Sequence, residues 1–72
     1  MNVEEIKKLI EQNLSGSKAL VTSDDGHHFA AEVIWDQFAG KSLLEQHQLV
    51  YQAIGDAVGN AIHALSIETK FK

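Results

Sequence analysis

The segment Ser42–Val58, "SLLEQHQLVYQAIGDAV", decides the fold. Ser42 followed three residues later by Glu45 is a capping-box pattern, so a helix starts at Leu43. Leu43, Leu44, Val50, Tyr51, Ile54 and Val58 supply its apolar face, with His47 beside them, and Gly59-Asn60 closes it. Strand-like segments flank this helix. A helix of that length between two strands is what a parallel crossover requires, and such crossovers are right-handed.

Upstream, His27 to Trp35 alternates as a strand, with Phe29, Ala31, Val33 and Trp35 on one face and His28, Ala30, Glu32 and Ile34 on the other. Lys18 to Ser23 reads as a shorter strand, and Asp24-Asp25-Gly26 as the turn joining the two into a hairpin. Val3 to Leu14 is a helix, because Val3, Ile6, Leu9, Ile10 and Leu14 form one apolar stripe. Asn2 is placed to cap it, and Ser15-Gly16 ends it. Between the second strand and the long helix, "DQFAGK" breaks the strand, with Phe38 anchoring a short helical turn and Gly40 allowing a bend. Downstream, Ala61 to Phe71 reads as the last strand, with Leu65 and Ile67 directed to the core. The expected architecture is α+β, one domain over residues 1–72, in the order α-β-β-α(short)-α-β. Its three-stranded mixed sheet is covered on one face by helices.

Composition limits the function. Seventy-two residues form one small domain that buries only about 60% of its unfolded surface. The absence of cysteine excludes disulfides, a cysteine-based zinc site and a self-sufficient iron–sulfur site. Net charge is −4, with six lysines and no arginine, which opposes nucleic-acid binding by bulk electrostatics. No apolar run is long enough to span a membrane, and the start of the chain has no signal-peptide pattern. A soluble, cytoplasmic chain is the expectation. There is no nucleophilic cysteine, no G-x-S-x-G elbow and no dinucleotide glycine pattern. "GKS" at Gly40 to Ser42 is no P-loop, because Trp35 stands where the first glycine would be. The chain reads as no enzyme.

Three motifs carry a resemblance: "FAGKSLLEQHQLVY" (Phe38–Tyr51), "IHALSI" (Ile62–Ile67) and "GHHFAAEVIWDQF" (Gly26–Phe38). Together, in this order, they resemble the BolA family, and the short hairpin loop is most similar to its bacterial IbaG/YrbA type. The resemblance implies a type II KH-like, BolA-like fold. It also implies a partner, a monothiol CGFS glutaredoxin, with which such proteins hold a [2Fe–2S] cluster. Glutaredoxin and glutathione supply thiolates, and the BolA-type protein supplies the histidine of its last strand, here His63. A loop His or Cys often completes the set. No cofactor is expected in the isolated protein, which would be a monomer or a weak homodimer.

His27 and His28 are the loop candidates. Neighbours in a strand diverge, so one at most coordinates, and His27 is favoured as the nearer to the turn. The family's loop ligand lies about four residues before the aromatic that opens strand two, a position held here by Asp25. His47 and Tyr51 are expected to pack rather than ligate. The alternative implied by the resemblance is a DNA-binding regulator that uses the helical-turn-helix region. Lys41 and Ser42 at a helix N-terminus, with Lys70, would then meet phosphate. The segment Gly40-Lys41-Ser42-Leu43 lacks the second glycine of a KH-type GXXG loop.

Overall fold

The structure, a computed structural model, describes residues 2–55 and 65–71. Helix α1 spans Val3–Asn13, strand β1 Lys18–Thr22 and strand β2 Phe29–Ile34. A 3-10 turn at Asp36–Phe38 leads to helix α2, Leu43–Ile54, and strand β3 is Leu65–Lys70. The order is the expected one. The sheet runs β1-β2-β3, with β1 antiparallel and β3 parallel to β2.

Local chemistry sets the helix ends. The Asn2 side chain accepts from the Glu5 N–H at 2.9 Å, and Glu4 and Glu5 occupy the first turn of α1, where its dipole favours anions. The Ser42–Glu45 capping box is complete, with bonds of 3.1 and 2.9 Å. Helix α2 ends at Ile54, short of Val58, because Gly55 takes a positive φ of 64° at the C-cap and turns the chain. Val58, Gly59, Asn60 and the start expected for the last strand at Ala61 lie outside the described residues.

The alternation of β2 is obeyed. Phe29, Ala31 and Val33 are buried under the helices, next to Ala19 and Val21 of β1 and Leu65 of β3. Ile6, Ile10, Leu14, Phe38, Val50, Ala53 and Ile54 close the core from above. Trp35 packs edge-on against Phe38, with ring centroids 5.3 Å apart, and its indole N–H donates to the Ser15 carbonyl at 2.8 Å. Among the described residues nothing covers the opposite face of the sheet, which carries Leu20, Ala30, Glu32, Ser66 and Glu68.

Two sequence expectations are corrected. Leu43 and Leu44 are not core residues; they are 64% and 68% exposed on the first turn of α2. The inward position of that turn belongs to Gln46, which is 7% exposed. Its amide donates to the carbonyls of Lys41, at 2.9 Å, and Phe38, at 3.4 Å, and its oxygen accepts from the Thr69 hydroxyl on β3. The Phe38 carbonyl also accepts from the Lys41 N–H at 3.1 Å, but the Lys41 carbonyl and the Thr69 hydroxyl rely on this side chain, and a leucine could not serve them. The strands are also shorter than their expected bounds, β1 ending at Thr22 and β2 starting at Phe29. Here the Asp25 side chain, not a strand partner, takes the amides of His27 and His28.

Replacing Gln46 by Leu is expected to cost about 1–3 kcal/mol in denaturant unfolding, because it removes the partner of the Lys41 carbonyl and of the Thr69 hydroxyl. Leu44→Ala is expected to stay within about 0.5 kcal/mol of the unmodified chain. A double-mutant cycle of Gln46→Leu with Thr69→Val should show a coupling of about 1 kcal/mol; additive effects would show that the amide does not join α2 to β3.

Candidate functional site

The segment between β1 and β2 is organised by one carboxylate. Asp25 Oδ1 accepts from the backbone N–H of His27 and of His28, both at 2.8 Å. Its Oδ2 lies 2.8 Å from Nδ1 of the His28 ring. Gly26 takes a φ of 77°, and its N–H donates to Ser23 Oγ at 2.9 Å. These bonds hold the Asp25 carboxyl well below the usual carboxylate range, the ring contact with His28 contributing most and the two backbone bonds next.

The 2.8 Å contact with an ionised Asp25 favours one tautomer. An ionised carboxylate has no proton to give, so the hydrogen between Oδ2 and Nδ1 sits on the imidazole. In the neutral ring Nε2 then carries the lone pair. His28 is 79% exposed, so this lone pair is available to an incoming group. A carboxylate that orients an imidazole from behind is the support that metal-bound histidines commonly have. His27 is exposed too, but only its backbone is tied down.

The sheet register places this loop. Phe29 pairs with Leu65 and Ala30 with Ser66, so β3 begins at the end of the sheet where the hairpin turns. A shallow hollow there is lined by Thr22, Ser23, Asp24, His28, Phe29, Ala30 and Ser66. His28 and the start of β3 therefore share one depression, which His27 does not line. His63 precedes Leu65 by two residues in the chain and lies outside the described residues. Among the described residues no cluster of three or more His, Asp or Glu is placed to hold a metal.

The basic candidates do not converge. Lys41 is exposed before α2, but the N-terminus of that helix is already occupied by the Glu45 carboxylate bonded to the Ser42 N–H. The Ser42 hydroxyl accepts from the Glu45 N–H. Lys70, at the far end of β3, is held 3.2 Å from Glu32, which raises its pKa. His47 and Tyr51 are half-buried; Tyr51 packs against the core, and His47 Nε2 is buried with no hydrogen-bond partner among the described residues. In the sequence Asp25 is a turn former that stands where the family's loop ligand lies. Its control of two amides and a ring is implicit in the Asp-x-x-His spacing, but only the loop conformation makes it visible.

The family model described as BolA-like protein matches residues 5–72. The chain belongs to the BolA family. The solved structure of a BolA protein homologue from Coxiella burnetii superposes with a TM-score of 0.84 at 41% identity, covering 99% of this chain and 91% of that one. A SufE-like protein of Arabidopsis thaliana is 44% identical over 48 residues, 65% of this chain but 13% of that protein. The DNA-binding transcriptional regulator BolA of Vibrio cholerae is 43% identical over 42 residues, 58% of this chain and 40% of its own length. The BolA fold is thus one module of much longer chains in some relatives, while the Coxiella protein is nearly co-extensive with this one. Among the described residues no helix is long and apolar enough to cross a membrane.

The Asp25 geometry has a pH signature. Its folded pKa lies below the unfolded value near 4, so the turn is stabilised above that value and loses stability as pH falls below it toward the folded pKa. In an NMR titration the Asp25 carboxyl carbon should stay on its ionised shift at pH 4, where free carboxylates are half titrated. Asp25→Asn should release the His28 ring, seen as a mixture of tautomers in its nitrogen shifts; an unchanged tautomer would refute the carboxylate's role.

Proposed function

We propose that this chain is a non-enzymatic adaptor that joins a monothiol glutaredoxin and glutathione to hold a shared [2Fe–2S] cluster, in cluster trafficking or in iron and stress regulation. The observation that carries the reading is the His28 ring, fixed through Nδ1 by Asp25 and presenting Nε2 beside the hollow where β3 begins. This chain contributes imidazole nitrogen, from His63 and from His28 in preference to His27. A chain with no cysteine takes every thiolate from its partner. When bound, the cluster supplies one-electron chemistry, at a potential raised by histidine in place of cysteine. The protein's part is to orient His28, to bring the β3 end against the partner and to leave the rest of the coordination open. A cytoplasmic setting keeps such partner thiols reduced.

The test is reconstitution. Mixed with a monothiol glutaredoxin, glutathione, iron and sulfide, the chain should form a heterodimer whose visible absorption and circular dichroism differ from those of the glutaredoxin cluster alone. His63→Ala should return the spectrum toward that of the glutaredoxin cluster, and His28→Ala should perturb it more than His27→Ala. No heterodimer, or spectra indifferent to His63, would sink the proposal.

The named Vibrio regulator favours a second reading, in which the chain binds DNA through Lys41, Ser42 and Lys70. Its weakness is electrostatic, since the net charge is −4 and the α2 terminus holds a carboxylate. If it holds, a gel shift should weaken steeply with salt and Lys41→Ala should lower the salt slope by about one ion. A shift indifferent to Lys41 would remove this surface from consideration.

A further inference from the structure

The two edges of the sheet are treated differently. The Trp35 N–H donates to the Lys70 carbonyl at 2.9 Å, so residues 66, 68 and 70 of β3 direct their backbone groups toward β2. Residues 65, 67 and 69 then direct theirs outward. On the other edge, the Ala19 N–H of β1 points outward, but it is capped by the Glu11 carboxylate of α1 at 2.9 Å, and Lys7 lies 3.6 Å from that carboxylate. The β1 edge is blunted by charge. No side chain caps an outward N–H of β3 among the described residues. An open edge strand is a template for another strand.

The sequence of β3 says which strand. In "LSIETKF", Leu65 to Phe71, antiparallel self-pairing about Thr69 sets Glu68 against Lys70 twice and Ile67 against Phe71 twice. Thr69 and the Ile67–Phe71 pairs then fall on the outward backbone groups, as the ladder requires. Moving the centre to Glu68 would oppose two glutamates, and moving it to Lys70 would oppose two lysines. Only centring on Thr69 satisfies both charge signs. Two further features suit such a partner. Glu68 sits directly opposite Glu32 of β2 and has no cation among the described residues' ion pairs, Lys70 being bonded to Glu32. Phe71 is 55% exposed at the end of the strand.

We propose that a second copy of this chain adds to the β3 edge, antiparallel and centred on Thr69, giving a two-fold symmetric six-stranded sheet. A contact of some five residues per strand buries less than the about 1,200–2,000 Å² of stable complexes, so the dimer is weak and concentration-dependent. It occupies the Thr69 end of β3 and leaves the Leu65 end free, so it stands or falls independently of cluster binding.

Sedimentation of the isolated chain over a concentration series tests it without glutaredoxin or iron. A reversible dimer is expected that weakens as salt is added. Glu68→Lys alone and Lys70→Glu alone should each weaken self-association about tenfold or more, by opposing like charges. An equimolar mixture of the two variants should restore association, because each Glu68→Lys chain then meets a Lys70→Glu chain. Circular dichroism of each variant checks that the monomer fold is kept, as surface charges on this open face allow. A chain that stays monomeric to about 1 mM would overturn the proposal, since this is the weak limit of specific association. So would variants that dimerise unchanged, or a mixture that gains nothing over its components.

Discussion

The side-chain amide of Gln46 is the joint on which the crossover depends. Parallel strands cannot be linked by a tight turn, so β3 reaches its place beside β2 only through the 3-10 turn and α2. At the entry to α2 the Phe38 carbonyl accepts from the Lys41 N–H at 3.1 Å, while the Lys41 carbonyl is met by the Gln46 amide at 2.9 Å, close to a buried phenyl ring. Gln46 gives its two N–H groups to them and takes the Thr69 hydroxyl on its oxygen. One side chain therefore fixes the bend, the angle of α2 and the approach of β3. At the other end of α2, Asn13 of α1 donates to the Ala53 carbonyl at 2.8 Å, pinning the last turn. A domain this small has little apolar area to spare, and these polar pins substitute for packing that a larger core would supply.

Much of this fold was legible because it follows from periodicity and capping. The alternation from Phe29 to Trp35, the stripe of α1 and the Ser42–Glu45 box are local patterns with local causes, and each produces the element it predicts. What was illegible depends on the backbone's own polar groups. Hydrophobicity places Leu43 and Leu44 inside and Gln46 outside. The Lys41 carbonyl and the Thr69 hydroxyl, both served by Gln46, invert that order. The hairpin was legible as a hairpin, but not its length, because Asp25 captures amides that alternation would assign to the ladder.

The same capture separates the two loop histidines. Strand alternation says only that they diverge, and closeness to the turn favours His27. The Asx-type geometry ties down the ring of His28, whereas His27 is held by its backbone alone. Nothing in the residue types alone distinguishes these outcomes; the distinction lies in which nitrogen is already engaged. The ligand role of His63 is what the family resemblance implies; in the chain it stands two residues ahead of Leu65, where β3 begins.

Helices cover one face of this sheet, so its interactions are left to its open face, its ends and its edges. A lone imidazole or pair of imidazoles is too few donors to retain a cluster, and the described residues offer no third. Under the proposed function, cluster affinity would therefore exist only in the assembled complex. By linkage, whatever factor the partner adds to cluster affinity the cluster adds to partner affinity. A weak ligand set on this side makes that factor adjustable, because exchanging one oriented histidine is cheaper than breaking a thiolate bond. Such a division would suit the proposed adaptor: the thiolates would keep the cluster with the partner, while His28, its ring already oriented by Asp25, would set how readily this chain joins and leaves.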